Sequence, residues 1–450
     1  MFHKTCVALA LVTFPAVALR PQSVTAIVHG QVIDGNGGPP TADGVVLVRG
    51  DRIIAAGPAN AVAIPAGART IDARGKAVLP GLADLHVHLL GGWDGETVDM
   101  LGYQRYLNAL LYAGVTTILD TGNSLPFIQQ IRQEVAAGRI PGPAIHMAGP
   151  VVDGSDPIWP PTSVAIASAT QIPGYVKQLK RARVDVVKGY GGLSEPMLAA
   201  LVRAAAAESL RVFVDAWDRN GTAIVARTGI AAFAHLGTSP LTDETVTVMK
   251  DRHVASITTL AVYESFSRRR LGDLSFIRQP LLQQTMPPWF VADLTTFATR
   301  RLSGDDSLGV RGAERQLRAA MANAKRLVDA GVLLAAGTDA PYPGDYYGEG
   351  LHHELELLVE AGLTPLQAIT LATKNAALLL KEGGEWGTLE PGKRADILVV
   401  GGDPTHRIAD TRNIELVMQA GRVLTRSSLR FDPGKDPGFR ATASVTSGAP

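Results

Sequence analysis

Ionisable side chains close several apolar runs of this sequence, at points where the chain is expected to leave a strand. His86 and His88 alternate in the run PGLADLHVHLL, and alternate residues of a strand face the same side, so both imidazoles point together. Four later apolar runs end in the same way, at Lys188, Asp215, His235 and Asp339. Side chains of these types can hold a metal ion or move a proton. The pattern therefore predicts one reactive site if the fold brings these strand ends together.

The segments that carry these residues have the texture of β/α units. Apolar runs of four to six residues alternate with helical stretches rich in Ala, Leu, Arg and Glu, which is typical of a parallel sheet covered by helices. The eight candidate strand ends fall near His88, Asp120, Gly149, Lys188, Asp215, His235, Thr259 and Asp339. Eight such units predict an α/β fold, a (β/α)8 TIM barrel, in which inward-facing residues at the strand ends line the site formed by the βα loops.

A β-rich segment lies on either side of the predicted barrel. Residues 19–77 and 387–432 alternate short Val-, Ile- and Leu-rich runs with turn residues, which is typical of strands joined by tight turns. We predict that these two segments form one small β-sandwich domain and that residues 78–386 form the barrel. Residues 433–450 are rich in Gly, Pro, Ser and Thr and are expected to be a mobile tail.

An insertion is predicted after the seventh strand. The strand ends at Thr259 and Asp339 are much farther apart than any other neighbouring pair, which assigns residues 260–330 to the insertion. Its run Arg268-Arg269-Arg270 is interpreted as a solvated helix face, because charge runs usually are. Substrate specificity is expected to lie in this insertion and in the loop at residues 151–162.

The composition excludes several classes of protein. The chain has 450 residues, and 43 Lys and Arg balance 42 Asp and Glu to a net charge of +1. This balance argues against a nucleic-acid partner and against intrinsic disorder. The one cysteine, Cys6, cannot form an intramolecular disulfide or a Cys-based zinc cluster. Any metal must therefore be held by other side chains.

The first residues have the pattern of a secretory signal peptide. Lys4 precedes an apolar run from Val7 to Val17, and a small-residue A-x-A pattern ends at Ala18. We predict that residues 1–18 are removed and that the protein is periplasmic or secreted. The run is shorter than the roughly 20 residues of a membrane span, so no permanent membrane anchor is expected. The mature protein would contain no cysteine.

Six stretches together carry a resemblance to a known family. They are PGLADLHVH, AGVTTILD, VDVVKGYGGLSEPML, AHLG, AAGTDAPYPG and GTLEPGKRADILVVGGDP. The chain resembles the metal-dependent amidohydrolase superfamily, and most of all its imidazolonepropionase-like and prolidase-like members. The resemblance covers nearly the whole mature chain.

The resemblance implies a role for each residue that matches the family pattern. His86 and His88 correspond to ligands of one metal, and Lys188 to an N6-carboxylated lysine that bridges two metals. His235 corresponds to a ligand of the second metal, and Asp339 to a ligand that is also the catalytic proton shuttle. The implied cofactors are one or two divalent ions, with zinc as the expected metal, whose bound water becomes a nucleophile near neutral pH.

One position departs from the family pattern and leaves two arrangements open. The family usually has a fifth-strand histidine where this chain has Asp215. In the first arrangement, Asp215 ligates the second of two metals. In the second, Lys188 stays an ammonium group and pairs with Asp215, which leaves one metal on His86, His88 and Asp339. Both arrangements are electrically neutral with a hydroxide, and the analogy favours two metals.

The leading functional hypothesis is an exported metal-dependent hydrolase of a small molecule. It would cleave an amide-type C–N bond in a peptide-like, N-acyl or cyclic amide substrate by means of metal-activated hydroxide. Tyr190 and Trp159, on the loops after the fourth and third strands, are the candidate substrate-binding residues. The alternatives are a degenerate member that binds a small ligand without hydrolysis, and an ester or lactone hydrolase. A homo-oligomer is compatible with the sequence, which does not fix the oligomeric state.

Overall fold

The structure, a computed structural model, describes residues 23–94, 97–215, 222–303 and 307–436. The predicted signal peptide lies outside the described residues. In chain order the strands are β1 Val24–Val32, β2 Thr41–Arg49, β3 Arg52–Pro58, β4 Arg69–Asp72, β5 Lys76–Pro80, β6 Leu82–Val87, β7 Val115–Asp120, β8 Ala144–Met147, β9 Val151–Asp153, β10 Ser163–Ala165, β11 Val187–Tyr190, β12 Val212–Asp215, β13 Ala232–Phe233, β14 Ala255–Ile257, β15 Leu334–Ala335, β16 Ile397–Gly401, β17 Ile414–Gln419 and β18 Arg422–Val423.

The helices of the described ranges follow most of the parallel strands. In chain order they are α1 Tyr103–Tyr112, α2 Leu125–Ala136, α3 Ile172–Arg181, α4 Glu195–Ala207, α5 Thr222–Arg227, α6 Asp243–Asp251, α7 Leu260–Ser267, α8 Pro280–Gln283, α9 Pro288–Ser303, α10 Ser307–Asp329, α11 Glu349–Glu360, α12 Pro365–Leu371 and α13 Lys374–Leu379. Within these ranges, a search for a helix that is both long enough and apolar enough to span a bilayer finds none.

Parallel strands form a ring at the centre of the protein. β6, β7 and β8 pair in order, and β9, β11, β12, β13, β14 and β15 continue the parallel pairing. The gap between β8 and β11 is bridged by the Asp185 amide, which donates to the Met147 carbonyl at 2.9 Å. The last strand returns to the first, because the Leu85 amide donates to the Ala336 carbonyl at 3.1 Å. This closure confirms the α/β fold class predicted from the strand ends.

The strands of the ring are apolar on both faces, as parallel strands under helices must be. All six residues of β6 and all six of β7 are buried. Alternate side chains enter different cores: Leu85 and Leu119 pack in one buried cluster with Phe213. Leu82 and Ile118 belong to a second cluster, which includes residues of the helices. A short continuous apolar run is therefore the expected sequence of each ring strand.

Strands from both ends of the chain share one sheet of eight strands. Its order is β18-β17-β16-β5-β1-β2-β3, with β4 paired to β1. β16 runs antiparallel to β5, with Leu398 opposite Leu79, so the C-terminal segment is paired directly to the N-terminal one. The predicted domain boundary between residues 77 and 78 falls inside β5, so the boundary drawn from the sequence is a few residues too early.

The insertion after the seventh ring strand is helical, and one interpretation of it is wrong. α7, α9 and α10 form most of residues 260–330. The arginine run is not a solvated helix face, because Arg270 is 8% exposed and its guanidinium donates to Glu349 at 2.7 Å. Arg269 pairs with Glu264 at 2.6 Å and with Glu360 at 2.7 Å. Charge partners that are remote in sequence cannot be inferred from the run itself.

The start of the predicted mobile tail is also misplaced. Asp436 is 5% exposed, and both of its carboxylate oxygens accept from Arg105 at 2.9 Å. Arg105 also pairs with Asp99, which in turn accepts from the Tyr106 hydroxyl at 2.6 Å. A buried charge needs such a partner, and this one anchors residues 433–436 to α1. Residues 437–450 of the predicted tail lie outside the described residues.

His146, a largely buried residue of β8, predicts a pH-dependent stability. The His146 ring, 13% exposed, lies 3.6 Å from Asp185 and 3.4 Å from Glu382. Burial lowers its pKa, but hydrogen bonds and charges from both carboxylates outweigh burial and raise the pKa to about 9. Because the folded-state pKa is raised, protonated His146 stabilises the fold fully below the unfolded-state pKa near 6.5. This stabilisation is lost as the pH rises through about 9.

We therefore expect His146→Gln to lower the free energy of unfolding at pH 6 by about 2 kcal/mol, discounted for the half-exposed carboxylates. The difference from the wild type should shrink steadily between pH 6.5 and pH 9 and vanish by about pH 10. Urea unfolding measured across this range checks the prediction. His406→Gln, whose ring is 85% exposed, is the control. A His146→Gln deficit that stays constant with pH would contradict the charged state of His146.

Candidate active site

One cavity at the carboxyl ends of the ring strands collects the residues singled out in the sequence. His86 lies on β6, Lys188 and Tyr190 lie on β11, and Asp215 lies on β12, whereas the others lie on loops that follow strands. The prediction that Tyr190 lies on the loop after the fourth strand is therefore wrong, because Tyr190 is the last residue of β11. The cavity has a volume of about 220 Å³. It is lined by all eight predicted site residues, His86, His88, Trp159, Lys188, Tyr190, Asp215, His235 and Asp339. The fold therefore brings together every residue of the predicted site.

His86, His88 and Asp339 form the tightest group in the cavity. One carboxylate oxygen of Asp339 lies 3.2 Å from Nε2 of His86 and 3.1 Å from Nε2 of His88. The three ligand atoms all lie within 4.8 Å of one another. Two imidazole nitrogens and a carboxylate oxygen are a donor set that zinc and other divalent ions accept. The geometry fits a divalent cation between these three residues.

The two histidines are oriented by backbone carbonyls behind them. Nδ1 of His86 lies 2.9 Å from the Ala234 carbonyl, and Nδ1 of His88 lies 3.0 Å from the Gly122 carbonyl. A carbonyl can only accept, so each Nδ1 carries the hydrogen, and the lone pair of a neutral ring is then on Nε2. This is the arrangement that metal-binding histidines need, with the second nitrogen held by the protein.

His235 and Asp215 form the other half of the site. Nε2 of His235 lies 3.1 Å from a carboxylate oxygen of Asp215, and Nδ1 lies 2.7 Å from the Thr259 hydroxyl. The second carboxylate oxygen of Asp339 lies 4.0 Å from Nε2 of His235, so Asp339 faces both halves. In the described part of the chain, the Asp215 carboxylate lies against the His235 imidazole. This pairing differs from the Lys188–Asp215 pair of the one-metal arrangement.

Lys188 lies between the two halves. Its side chain is 1% exposed, and Nζ lies 3.4 Å from Nε2 of His86. Burial lowers the pKa of Lys188, against the charges of Asp215 and Asp339, which raise it. A fully buried amine that lies against an imidazole is an unusual arrangement, because buried lysines are rare unless paired. From this position, the Lys188 side chain can reach a ligand that lies between the two halves of the site.

The imidazoles differ in their tendency to hold a proton. Burial and the nearby Lys188 and His235 hold the pKa of His86 well below its usual range, which keeps this ring neutral. Burial also opposes a charge on His88, but the hydrogen bond and charge of Asp339 outweigh it and raise the pKa of His88. The pKa of Asp215 is lowered, because the charge and hydrogen bond of His235 outweigh burial. His86 is therefore neutral and offers a nitrogen lone pair, and Asp215 is ionised; both states suit cation binding.

Sequence reasoning missed a buried carboxylate that supports β6 and β15. Asp84 accepts from the His86 amide at 3.2 Å, from the Thr338 amide at 3.0 Å and from the Thr338 hydroxyl at 2.8 Å. Burial raises the pKa of Asp84 to about 7 despite these hydrogen bonds. Asp84 fixes the backbone beside both His86 and Asp339. The sequence contains a signal for it, because Asp84 lies two residues before His86 in the same alternating pattern as His86 and His88.

The two predicted substrate-binding residues both line the cavity. Tyr190 follows Lys188 by two residues, and its hydroxyl hydrogen bonds with Asp215. Trp159 is 36% exposed. Tyr342 also lines the cavity and was missed, because it lies in a loop after β15 with no pattern of its own.

The chain shares its fold with solved hydrolases and its sequence with a known family. A solved Xaa-Pro dipeptidase with bound methionine in its active site superimposes with a TM-score of 0.72 at 20% identity, over 89% of this chain and all of that one. This likeness shows the shared fold. The family follows from the sequence: the amidohydrolase family matches residues 77–424, and the chain belongs to it. Membership places the protein among hydrolases that act on carbon–nitrogen bonds.

Two curated relatives are similar over most of their length. The imidazolonepropionase of Symbiobacterium thermophilum is 25% identical over 93% of this chain and 99% of that enzyme. The imidazolonepropionase of Chloroflexus aggregans is 28% identical over 80% of this chain and 85% of that enzyme. The family and the His-His-Asp group together support divalent metal binding.

Proposed function

We propose that the protein is a metal-dependent hydrolase that cleaves an amide-type C–N bond in a small molecule. The convergence of His86, His88 and Asp339 on one point within the cavity carries this proposal. Supporting it are the family and the two relatives that are named imidazolonepropionase. The candidate substrates are therefore peptide-like, N-acyl or cyclic amides.

Different residues of the cavity would bind the metal, transfer the proton and contact the substrate in such a reaction. A divalent ion held by His86, His88 and Asp339 would supply Lewis acidity and lower the pKa of water. Asp339, which faces both halves of the site, accepts the proton of the attacking water and returns it to the leaving nitrogen. Returning the proton matters because an amide nitrogen leaves poorly as an anion. Tyr190 and Trp159 contact the substrate and hold it against this carboxylate.

The donor set supports a second cation on the other side of Lys188. His235 and Asp215 offer a nitrogen and an oxygen 3.1 Å apart. We propose that Lys188 is carboxylated at Nζ. The amine would then become an anionic carbamate, with two oxygens between the two halves of the site. Carboxylation would explain why a fully buried lysine lies next to an imidazole that is a candidate metal ligand. Zinc is the proposed metal, because nitrogen and carboxylate ligands suit it.

Metal analysis combined with a substrate panel tests the proposed function. Purified protein, expressed with added zinc, manganese or cobalt, is assayed on N-acyl amino acids, dipeptides, cyclic amides, esters and lactones. We expect metal-dependent turnover of at least one amide class, and its loss on chelation. Turnover confined to esters or lactones would reassign the bond cleaved. Metal-free protein that binds but hydrolyses nothing would identify a binding protein instead.

We also propose that the protein is exported after removal of residues 1–18. The charged start, apolar run and A-x-A pattern of the sequence support this proposal. The mature chain is expected to begin at Leu19 and to be found in the periplasm or the medium. N-terminal sequencing after fractionation checks this. Replacing Ala16 and Ala18 with bulky residues should block cleavage, whereas an intact N-terminus on the wild-type protein would contradict export.

A further inference from the structure

The residues that directly follow β14 contact the side of the His235 ring that does not face Asp215. Nδ1 of His235 lies 2.7 Å from the Thr259 hydroxyl, while Nε2 faces Asp215. The Ser256 hydroxyl donates to the His235 carbonyl at 2.8 Å, so β14 also fixes the backbone of this residue. The direction of the His235 ring therefore depends on where Thr259 is placed.

Thr259 has a backbone conformation that threonine rarely adopts. Its φ is 48° and its ψ is 42°, in the left-handed region, and its side chain is buried. Branching at Cβ makes this region costly, and residues held there against their preference are concentrated at functional sites. Glycine would tolerate the same backbone but has no hydroxyl. The contact with His235 gives a reason for a threonine at this position.

Glu354 of α11 fixes the chain on both sides of Thr259. One of its carboxylate oxygens accepts from the Thr258 hydroxyl at 2.5 Å, and the other accepts from the Ala261 amide at 2.8 Å. The Ala261 amide belongs to the first turn of α7, where the amides have no partner within the helix. The Glu354 carboxylate therefore holds the start of α7 and the residue before Thr259 at the same time.

α7 transmits this constraint to the residue after His235. The Tyr263 hydroxyl donates to the Leu236 carbonyl at 2.8 Å, and the Tyr263 ring lies 6.2 Å from the His235 ring, centroid to centroid. Because Glu354 holds the start of α7, it supports His235 by two routes. One route is the Thr259 hydroxyl, and the other is the Tyr263 side chain.

The carboxylate of Glu354 suits this role better than a neutral side chain would. Both of its contacts donate a hydrogen, and a carboxylate can accept at both oxygens. Burial raises the pKa of Glu354 to about 7, although the hydrogen bonds from Thr258 and from the backbone of α7 lower it. A glutamine has nearly the same shape but only one acceptor oxygen, so one of the two contacts would be lost.

We propose that Glu354 is a positioning residue for the half of the site that contains His235 and Asp215, and that it acts through Thr259. The inference rests on the proposed function, because it assigns His235 to a metal ion. For Nε2 to ligate that ion, Nδ1 must carry the ring hydrogen and donate it to the Thr259 hydroxyl oxygen. Loss of Glu354 should therefore weaken metal binding in this half and spare the His-His-Asp group.

Zinc titration of the purified, metal-free protein by calorimetry tests the inference. The wild type should bind two equivalents, and Asp215→Asn identifies which of them belongs to the half that contains His235. This equivalent should bind about tenfold or more weakly in Glu354→Gln and in Thr259→Val, while the affinity for the other changes by less than about threefold. Thr259→Ser keeps the hydroxyl and should retain the wild-type affinity. Glu360→Gln, on the same helix and 52% exposed, is the control.

Crystal structures of the metal-free protein separate this inference from the proposed function. Nδ1 of His235 should lie at hydrogen-bond distance from the hydroxyl of residue 259 in the wild type and in Thr259→Ser. The ring should be turned or displaced in Glu354→Gln and in Thr259→Val. If Thr259→Val does not fold, Thr259→Gly removes the hydroxyl and suits the left-handed backbone.

The outcomes for the positioning role and for the hydrolase are distinct. A displaced His235 ring in variants of a protein that binds one zinc ion, or that hydrolyses no amide, would uphold the positioning role and overturn the two-metal hydrolase. An unmoved ring in folded Glu354→Gln would overturn the positioning role even if amides are cleaved. Unchanged affinity for the zinc ion next to His235, in a protein that binds two, would also overturn it.

Discussion

Replacing Asp339 with asparagine is expected to abolish turnover while the protein stays folded. The Asp339 carboxylate lies within 3.2 Å of two imidazole nitrogens and within 4.0 Å of a third. An amide of the same shape keeps the packing but loses the negative charge and the basic oxygen. Because the proposed metal binding and the proposed proton transfer both depend on that carboxylate, kcat/KM should fall by about 10³-fold or more.

The Asp339→Asn measurement needs a structural and a chemical control. Asp329→Asn changes an exposed carboxylate at the end of α10, which pairs with Lys325, and should leave turnover unchanged. The melting temperature and circular dichroism of Asp339→Asn should match the wild type. Full activity in a folded Asp339→Asn protein would remove this residue from the mechanism. A loss of activity together with unfolding would leave Asp339→Glu as the decisive variant, since it keeps the charge.

Replacing Lys188 with glutamine is expected to halve the metal content and lower turnover by about 10²-fold or more. Lys188 is 1% exposed and lies between the two halves of the site, so a carboxylated side chain there can ligate a metal ion in each half. Glutamine keeps most of the volume but cannot be carboxylated. Elemental analysis should give two equivalents of metal in the wild type and one in Lys188→Gln.

Isotope labelling distinguishes carboxylation from an ordinary lysine. Wild-type protein equilibrated with ¹³C-bicarbonate should show a carbamate carbon by NMR, and Lys188→Gln should not. Lys180→Gln, an exposed lysine on α3, is the matched control. One equivalent of metal in the wild type, together with no carbamate signal, would overturn the two-metal proposal and restore the mononuclear arrangement on His86, His88 and Asp339.

The strand ends of the site could be predicted because each one is a local pattern. A buried parallel strand is a short apolar run, so the first ionisable residue after it marks the end of the strand. Lys188, Asp215, His235 and Asp339 were found in this way, and all four line the cavity. The closure of the ring then follows from the number of such runs and needs no knowledge of individual contacts.

Contacts between remote segments could not be predicted in the same way. Asp436 and Arg105 are 331 positions apart, and neither lies in a pattern that indicates burial. The burial of Arg270 and the ion pairs of the arginine run could not be predicted, because the partners Glu349 and Glu360 belong to α11, far along the chain. The pairing of Asp215 with His235 rather than Lys188 depends on side-chain directions in three strands. Local sequence contains none of this information.

The candidate metal ligands lie on both sides of the seam where the ring closes. The Asp339 amide donates to the His86 carbonyl at 2.8 Å, and Thr338 is bonded to Asp84, 254 positions earlier. Contacts this distant in sequence are slow to form, because a long loop must close first. A chain that is still being synthesised, or that has folded only in part, lacks Asp339 beside the two histidines. The three candidate ligands therefore come together only when the last ring strand docks.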